Sequence, residues 1–584
     1  MATAADRGLI RGLRTAWRLR AIPDSARSEG LVGRVLAARN LAGNHAISGS
    51  LTDLHDPSKM AGIDRAAERL LAALNRRERI AIYADYDVDG ITAAAVLWHM
   101  LRSLDPEARI TTFLPRRLED GYGLNPEAVG KLCENHELIV SVDCGITAVS
   151  SAAVACERGR DLIITDHHTR PGQGQPDPAA YAIVHPGIPE ANYPFAHLSG
   201  SGVAFKLAWR LATMKAGSDK VSAEHRRLLL DLLALTSMGV IADVVPLIGE
   251  NRIIAKWGLK QMAHCRFPGI QALLHEAGCT QGDEVGAADI GFRLGPRLNA
   301  IGRLGHAGEA LELLTTAQGE RAVEIAAALT RSNRERQEME RRVTDAAKRR
   351  VLDRGAAVSE MRSIVLADES WHRGVVGICC SKLVEEFHRP TILMQREGDL
   401  CIGSARSIDG FDLYAAIAAC GEHVVKFGGH AMAAGLTLSA AKLETFASAF
   451  EAEAGRRLHT DDLVGITTVD TECALDELSM ETVSRLRDLA PFGRENEEPK
   501  VLLRSARLAS APRALGSAGG HLALEFRASH GVLRVKAWRW AELLAKKGFV
   551  LPQGASVDAV VAPDINTWNG RRSVEATLCD LRPL

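Results

Sequence analysis

RIAIYADYDVDG, residues 79–90, joins an unbroken apolar run to three carboxylates at alternate positions, Asp85, Asp87 and Asp89. Its apolar part, Ile80–Ala84, has no polar alternation, which is typical of a strand buried on both faces of a parallel sheet. The carboxylates fall at the C-terminal end of that strand, where open α/β sheets bind ligands. Acidic residues are also common there as turn residues and helix caps, so this stretch alone leaves a site and an acidic turn open.

Two further apolar strands, predicted over residues 136–142 and 161–165, end in the same way. The residues that follow them are Asp143 after the first strand and Asp166, His167 and His168 after the second. Parallel strands bring these ends together, and closely packed carboxylates raise each other's pKa values unless cations neutralise them. Asp and His without Cys suit Mn2+ or Mg2+ rather than a structural zinc. The sequence therefore predicts a two-metal site of the kind that hydrolyses phosphate esters.

Length and composition bound the class of protein. A chain of 584 residues is too long for one core and predicts three or four domains. The formal charge of -1 gives no global sign of a nucleic-acid or membrane partner, so any basic surface must be local. Eleven cysteines without a regular framework fit a reducing cytosol. The basic first forty residues leave a transit peptide and an N-terminal helical arm open, and we expect the arm.

Four ordered motifs carry a resemblance to a known family. DYDVDG, VDCGIT, TDHH and ADVVPL resemble the motifs of the DHH phosphoesterases. Later segments are similar to the RecJ branch of that family, the single-stranded-DNA-specific exonucleases: LGPRLNAIGRLGHA at 294–307, WHRGVVGI at 371–378, GSARS at 403–407 and FGGHAMAAG at 427–435. Together these segments place the resemblance over most of the chain.

The resemblance implies a set of site residues. The metal ligands, for two divalent cations that are Mn2+ or Mg2+, would be Asp87, Asp89, Asp143, His167 and Asp243. Catalytic or supporting roles would fall to Asp85, Asp166, His168 and Arg303. His167 is expected to bind metal and His168 to contact phosphate, although the reverse stays open, as does a purely structural role for Asp166.

The same resemblance implies contacts with DNA. The expected DNA-binding residues are Arg116, Arg297, Asn299, Trp371, Arg406, Gly428, Gly429, His430, Lys536 and Trp538. Further candidates for stacking or phosphate contact in the C-terminal barrel are Trp540, Trp568, Arg571 and Arg572. Glycines let a nucleic-acid backbone approach closely, and arginines pair with its phosphates. Ordinary turns and a tryptophan core are the alternatives that the residues leave open, and Lys206 is expected to face solvent.

The fold class implied is α/β: a parallel-sheet DHH catalytic domain, a long connecting helix, a smaller α/β DHHA1 domain and a C-terminal OB-type β-barrel. The predicted divisions are an N-terminal arm at 1–60, the catalytic domain at 61–318, the connecting helix at 319–357, the DHHA1 domain at 358–456 and the barrel at 466–584. The connecting helix, with interleaved Arg and Glu, is expected to be a solvated connector.

The expected function is that of a 5′ to 3′ exonuclease on single-stranded DNA, releasing 5′-mononucleotides by two-metal-ion hydrolysis in DNA repair and recombination. Its expected partners are single-stranded DNA with a free 5′ end, a single-strand-binding protein and a helicase, with no membrane. We expect a monomer in the bacterial cytoplasm, associated with the nucleoid during repair. The sequence departs from the family pattern at His185, Gly295, Glu495 and Glu497, none of which is an implied metal ligand.

Overall fold

The computed structural model describes most of the chain. The described residues are 8–41, 49–115, 123–172, 175–189, 192–218, 220–279, 284–304, 307–355, 360–516 and 519–584, without the side chains of Arg303 and Leu304. The predicted roles of Arg116 and of the Arg303 side chain therefore fall outside the described residues. Residues 49–338 and 491–497 form one compact unit, and the rest of the chain forms a second.

A five-stranded sheet forms the centre of the first unit, and all its strand pairs are parallel. From one edge to the other, its strands are Arg109–Phe113, Arg79–Ala84, Leu138–Val142, Asp161–Thr165 and Ala182–Val184. The central strands are buried almost throughout, as continuous apolar runs predict. This is the parallel-sheet catalytic domain expected from the sequence.

Helices cover both faces of this sheet and extend beyond it. They are Ile63–Asn75, Val88–Leu104, Pro126–Asn135, Val149–Glu157, Gly200–Ala216, Ala223–Ala242, Gly249–Met262, Pro268–Glu276, Ala287–Asp289, Gly295–Leu304 and Gly308–Thr315. A π-helical turn, Ile290–Leu294, leads into the tenth of these. The GPRLNA segment is thus helical rather than the ordinary turn that the sequence left open as an alternative.

Lys206 corrects an expectation. It lies in helix Gly200–Ala216 and is 0% exposed, not solvent-facing. Its Nζ lies 2.5 Å from Glu250 Oε1 and donates to the carbonyl of His55 at 2.7 Å, while Tyr193 donates to the other oxygen of Glu250. A buried ammonium group is stable only when it is paired in this way.

Helix Gly319–Leu352, the long helix that the sequence predicted, belongs to the first unit as far as Glu338 and to the second unit from Met339. The α/β part of the second unit has five strands, which lie in the order Lys426–His430, Ala433–Ser439, Leu400–Arg406, Thr391–Glu397 and Ile364–Asp368. The helices of this part are Arg373–Phe387, Leu413–Ala419 and Leu443–Arg457. The FGGHAMAAG segment forms the outer hairpin of this sheet, with Gly428, Gly429 and His430 exposed.

The C-terminal part is a β-barrel. Its main strands are Val501–Arg507, Arg513–Leu515, His521–Ala528, Gly531–Ala537, Ser556–Trp568 and Arg571–Pro583, with helices Met480–Arg487 and Trp540–Lys546 beside them. A bridge between Leu508 and Phe526 joins the first and third strands and closes the barrel. Asn569 and Gly570 both have positive φ, 48° and 75°, as a two-residue hairpin turn requires.

The N-terminal residues add strands rather than a helical arm alone. Strand Ala16–Leu19 pairs with Ile10–Arg11 and, in parallel, with Ile466–Val469, while Leu31–Ala38 forms a helix. Buried Asp580 anchors this segment, because the amide of Thr15 and the indole of Trp17 both donate to it at 2.8 Å. The remaining short strand of this unit is Thr471–Glu472. Among the described residues, no helix has the length and apolar character that crossing a bilayer requires.

Candidate metal centre

In the acidic loop at the end of strand Arg79–Ala84, the carboxylates accept hydrogen bonds from different backbone amides. Asp85 is 2% exposed and accepts from the amide of Tyr86. Asp87 caps helix Val88–Leu104, since its Oδ1 accepts from the amides of Asp89 and Gly90. Capping satisfies amides that the first helical turn leaves without partners, so the helix begins directly after Asp87.

Asp89 is held from a second helix. It is 1% exposed, and the amides of Gly200 and Ser201 donate to its two oxygens at 2.7 and 2.9 Å. These amides belong to the N-terminus of helix Gly200–Ala216, where the helix dipole favours negative charge. A Cβ at Gly239 would overlap Asp89 Oδ1, so a glycine is required where helix Ala223–Ala242 passes this carboxylate.

Asp143 follows strand Leu138–Val142 in a left-handed backbone conformation, with φ of 62°. Its amide still donates to the carbonyl of Thr165 at 2.9 Å, which extends the parallel pairing by one residue before the chain turns. A Cβ at Gly200 would overlap the Asp143 side chain, so helix and carboxylate meet directly. A non-glycine residue at positive φ is uncommon, and such strain is frequent at functional sites.

The TDHH loop is organised around Asp166, which is 1% exposed. Its Oδ1 accepts from the amides of His167 and His168, at 2.7 and 3.1 Å, and lies 2.7 Å from His168 Nδ1. Its Oδ2 accepts from the amide of Ile146 at 2.9 Å. Both oxygens of Asp166 thus hold the loop, which is the structural role that the sequence left open.

Asp243 reaches the centre as the residue that ends helix Ala223–Ala242. Its Oδ2 lies 3.6 Å from His167 Nε2. Strand order says nothing about this helix, so only the resemblance to known motifs pointed to Asp243. The next residue, Val244, has a φ of 57°, which turns the chain sharply away after the carboxylate.

Three overlapping groups of side chains have the spacing of metal ligands. They are Asp89, His167 and Asp243; Asp143, His167 and His168; and Asp85, Asp87 and Asp143, each with ligand atoms within 4.8 Å of one another. The second group shares His167 with the first and Asp143 with the third, so it links the other two. All the predicted metal ligands, together with Asp85 and His168, therefore converge on this centre, and Asp166 lies beneath it.

The donor atoms at the centre fit a cation. His167 Nε2 and Asp143 Oδ1 face each other at 3.2 Å, and within the described part of the chain neither buried atom has a hydrogen-bond partner. Neighbouring ligands of an octahedral ion at about 2.1 Å lie about 3 Å apart, which matches this spacing. Carboxylates with an imidazole and no thiolate suit Mg2+ or Mn2+.

The electrostatics of the cluster also call for positive charge. Burial raises the pKa of Asp143 well above its usual value, and Asp89 and Asp87 raise it further. Burial together with Asp89 likewise raises the pKa of Asp243 to about 8. Burial lowers the pKa of His167, which leaves its imidazole neutral and able to bind a metal. Burial lowers the pKa of His168, but the hydrogen bond and charge of Asp166 outweigh burial and raise this pKa to about 9.

The predicted DNA-binding residues fall into two classes in the structure. Exposed or partly exposed are Asn299, Arg406, Gly428, Gly429, His430, Lys536 and Trp538. Lys536 is paired with Glu575 at 2.7 Å, and Trp538, 47% exposed, presents its ring beside His521. Trp568, Arg571 and Arg572 are also exposed, at the tip of the long hairpin.

Two predicted aromatic contacts are corrected by their surroundings. Trp371 is 2% exposed and packs in the core of the α/β domain, and Trp540 is 0% exposed, so neither ring presents a face to a base. Arg297 is partly exposed and donates to the carbonyls of Arg293 and Glu276 within the first unit, and its contact with DNA stays a prediction. Large rings and guanidinium groups in short motifs are thus used for packing and bracing, which residue type alone does not reveal.

Sequence reasoning missed the residues that support the centre. The amides of Gly200 and Ser201 bind Asp89. The missing Cβ atoms of Gly200 and Gly239 leave room for the side chains of Asp143 and Asp89, respectively. The SGSG segment at 199–202, which begins a helix with a serine cap, was the available signal for Gly200 and Ser201. His185 also contacts the loop, since its Nε2 lies 2.8 Å from the carbonyl oxygen of His168.

Three segments of the chain match known protein families. Residues 79–236 match the DHH family, N-terminal domain; residues 355–456 match the DHHA1 domain; and residues 469–580 match the RecJ OB domain. The order of these matches agrees with the α/β domain, second α/β domain and barrel of the structure. They confirm the fold class that the sequence predicted, while the exact domain limits stay a prediction.

Curated relatives match over most of the chain. The single-stranded-DNA-specific exonuclease RecJ of Dickeya dadantii (strain 3937) is 35% identical over 577 residues, which is 96% of this chain and 97% of the relative. The protein of the same name from Bacillus subtilis (strain 168) is 38% identical over 531 residues, 90% of this chain, and the chain spans 64% of its length.

Solved structures agree with the sequence relatives. The crystal structure of RecJ from Thermus thermophilus in complex with Mn2+ aligns with a TM-score of 0.80 and 30% identity, covering 97% of this chain and 79% of that chain. The Mg2+ complex of the same protein aligns with a TM-score of 0.73 and 28% identity, covering 97% of this chain and 78% of that chain. Both metals therefore occur in a protein of this fold.

Proposed function

Because the chain belongs to the RecJ family, we propose that it is a metal-dependent exonuclease that degrades single-stranded DNA from a free 5′ end and releases 5′-mononucleotides. The observation that carries this proposal is the close approach of His167 Nε2 and Asp143 Oδ1. These two buried atoms lie 3.2 Å apart, and neither has a hydrogen-bond partner in the described chain. Buried polar atoms without partners are costly, and a bound cation removes that cost.

Two divalent cations fit the geometry of the centre. One group of ligands is Asp89, His167 and Asp243, and the other is Asp85, Asp87 and Asp143. Asp143 stands between them with one oxygen turned to His167. When bound, such ions activate a water molecule and stabilise the leaving oxygen of a phosphodiester. The ligand roles of these six residues are part of the proposal.

The chain itself supplies orientation and charge around the scissile phosphate. His168 is the more exposed member of the His pair, with 38% of its side chain accessible, against 11% for His167. Asp166 fixes its ring through Nδ1, which leaves the opposite edge of the ring directed away from that carboxylate. His168 is therefore suited to contact a phosphate oxygen, while His167 serves as a ligand.

Single-stranded DNA would need a track beyond the metal centre. In the α/β domain, the outer hairpin presents Gly428, Gly429 and His430, and in the barrel Trp538 and Trp568 are exposed among basic side chains. Backbone approach at glycines and stacking of bases on aromatic rings are both independent of sequence. Such surfaces favour a long single strand over a dinucleotide as the substrate.

The test is digestion of 5′-labelled substrates with and without Mn2+. Long single-stranded DNA, the matching duplex and a dinucleotide are compared under the same conditions. Release of a labelled mononucleotide from the single strand alone is the expected result. Equal or better cleavage of the dinucleotide would indicate a phosphodiesterase for short substrates, and DNA binding without hydrolysis would indicate a non-catalytic binding protein.

The setting of the activity belongs to the same proposal. We place it in bacterial DNA repair and recombination, in the cytoplasm and at the nucleoid, where a helicase would expose single strands and a single-strand-binding protein would cover them. A monomer is expected. Co-sedimentation of the full chain with each candidate partner, and its mass in solution, test these points directly.

A further inference from the structure

His185 lies directly behind the loop that carries His167 and His168. It follows strand Ala182–Val184, the outermost strand of the parallel sheet, and is 4% exposed. The carbonyl of Val184 accepts from the amide of Asp166 at 3.1 Å, so the two strands remain in contact where the loop begins. His185 is therefore the next residue after the last backbone contact between the outer strand and the metal-centre loop.

Both ring nitrogens of His185 have a backbone partner. The amide of Gly187 donates to Nδ1 at 2.9 Å. A ring nitrogen that accepts a hydrogen bond carries no proton, so the proton of the neutral ring is on Nε2. Nε2 lies 2.8 Å from the carbonyl oxygen of His168 and donates to it. The two contacts together fix both the tautomer and the orientation of the ring.

Gly187 contributes a second, steric observation. A Cβ at this position would stand 3.1 Å from Cε1 and 3.3 Å from Nδ1 of the His185 ring. These separations are shorter than ordinary van der Waals contact, so the ring lies against the glycine where a larger residue would displace it. The chain is thus shaped to hold the His185 ring in one place.

We propose that His185 is a positioning residue for the metal centre. Its Nε2–H fixes the carbonyl of His168 from the outer side of the loop, while Asp166 holds the amides of His167 and His168 from the inner side. The loop is clamped on both sides, and the clamp sets the direction of His167 Nε2. This inference rests on the proposed function and specifies how the same site is built.

The proposal predicts how large the effect of losing the His185 contact is. Groups that orient a metal ligand without touching the metal typically contribute about 10- to 100-fold in metal affinity or activity. The contact here is to the backbone of the residue next to His167, so we expect an effect of about 10-fold, near the lower end of that range. Affinity for DNA depends on other surfaces and is expected to stay unchanged.

The test uses three variants of the full chain. His185→Phe keeps a flat ring but removes both hydrogen bonds. His185→Gln places an amide nitrogen near the position of imidazole Nε2 and can still donate to the His168 carbonyl. His99→Phe is the matched control, because His99 is a partly buried histidine of the same unit whose Nε2 also contacts a backbone carbonyl, that of Leu314, at 2.8 Å.

The readouts are the Mn2+ dissociation constant by calorimetry, the kcat and KM on single-stranded DNA, and the thermal unfolding of the metal-free proteins. His185→Phe is expected to weaken Mn2+ binding about 10-fold and to lower kcat with KM unchanged. His185→Gln should recover most of both, and His99→Phe should alter unfolding alone. Equal losses in the Phe and Gln variants, or no loss in the Phe variant, would overturn the proposal.

A spectroscopic measurement covers the case in which His185→Phe does not fold. Nitrogen-15 NMR of the metal-free wild-type protein should show the His185 ring neutral with its proton on Nε2. A proton on Nδ1 would overturn the proposal. Failure of the His185 proposal can be distinguished from failure of the proposed function. A wild-type chain that neither binds Mn2+ nor cleaves DNA would refute the function. An active wild type with an unaffected His185→Phe variant would refute only the role of His185.

Discussion

Asp143 shows how much of the site depends on a single residue. It combines a left-handed backbone, near-complete burial and an oxygen without a hydrogen-bond partner in the described chain. Burial and the neighbouring carboxylates raise its pKa well above the usual value. Each of these features is unfavourable in the metal-free protein, and a bound cation would offset all but the backbone strain. These features support the proposed role of Asp143 as a metal ligand.

Asp143→Asn is expected to lower kcat by about 100-fold or more, because a neutral amide binds divalent cations more weakly than a carboxylate does. DNA binding should largely survive. The metal-free protein should become more stable, since the substitution removes a repelled charge. Asp161→Asn, the same change at the opposite end of the neighbouring strand, is the control. Turnover of the Asp143 variant at the wild-type rate with Mn2+ would refute the assignment.

The lowered pKa of His99 makes the free energy of unfolding depend on pH, away from the metal centre. Burial lowers its pKa to about 4, and its ring packs against Phe267. The histidine of the unfolded chain titrates near 6.5, so between these pH values the unfolded state binds more protons and stability falls as the pH falls. Relative to His99→Phe, the wild type should lose about 2 kcal/mol more between about pH 7.5 and about pH 5. Hydrogen exchange of amides in helix Val88–Leu104 measures this difference, and identical losses would contradict it.

At the scale of elements, the metal centre is made by helix ends that meet strand ends. Helix Val88–Leu104 begins at Asp87, helix Gly200–Ala216 begins beneath Asp89, and helix Ala223–Ala242 ends at Asp243. Their close approach depends on glycine, since a Cβ at Gly239 would overlap Asp89 and Ser201. The spacing between helices thus sets the spacing between the proposed ligands.

Gly239→Ala is expected to displace Asp89 and to weaken Mn2+ binding by about 10-fold or more. Its effect on stability should be small if the helices separate, because alanine favours the helix more than glycine does. Gly308→Ala is the control, since a Cβ at Gly308 meets nothing within 4 Å. Calorimetric titration of both variants with Mn2+ decides the point, and equal affinities would show that the contact does not matter.

At the scale of the whole molecule, the proposed binding of DNA would come from local surfaces, because the net charge is only -1. In the barrel, Trp538 is 47% exposed and Trp568 is 73% exposed, whereas Trp540 is in the core. The exposed rings are available for stacking, and neighbouring strands carry arginine and lysine. The barrel is accordingly expected to contribute affinity rather than chemistry.

Trp538→Ala is expected to weaken binding of a long single strand by about 1–3 kcal/mol, the usual contribution of one stacked base. Hydrolysis of a dinucleotide should not change, because it does not require the track. Val550→Ala removes an exposed apolar side chain from the same domain and serves as the control. Fluorescence anisotropy with oligonucleotides of increasing length measures the effect, and a loss that does not depend on length would point to misfolding instead.

Salt should weaken DNA binding steeply if phosphates dominate the contact. The logarithm of affinity is expected to fall linearly with the logarithm of salt concentration, with a slope of about -0.7 for each phosphate contacted. Removal of a stacking ring, as in Trp538→Ala, should lower affinity without changing that slope. A slope near zero for the wild type would mean that stacking alone holds the strand.

The sequence by itself determined the parallel sheet, its strand ends and the order of the domains. Continuous apolar runs that stop at Asp85, Asp143 and Asp166 specify buried parallel strands, and parallel strands bring their C-terminal ends together by geometry alone. Motif resemblance supplied Asp243, which periodicity could not.

Only the tertiary structure decided which side chains face the site and which face the core. Trp371 and Trp540 were expected to contact DNA and Lys206 to face solvent, and each is used for packing or internal pairing instead. Burial depends on what other elements cover, which residue type does not encode. The same reason hid Gly200, Gly239 and His185, whose roles exist because helices and an outer strand distant in sequence come against the acidic ends of the sheet.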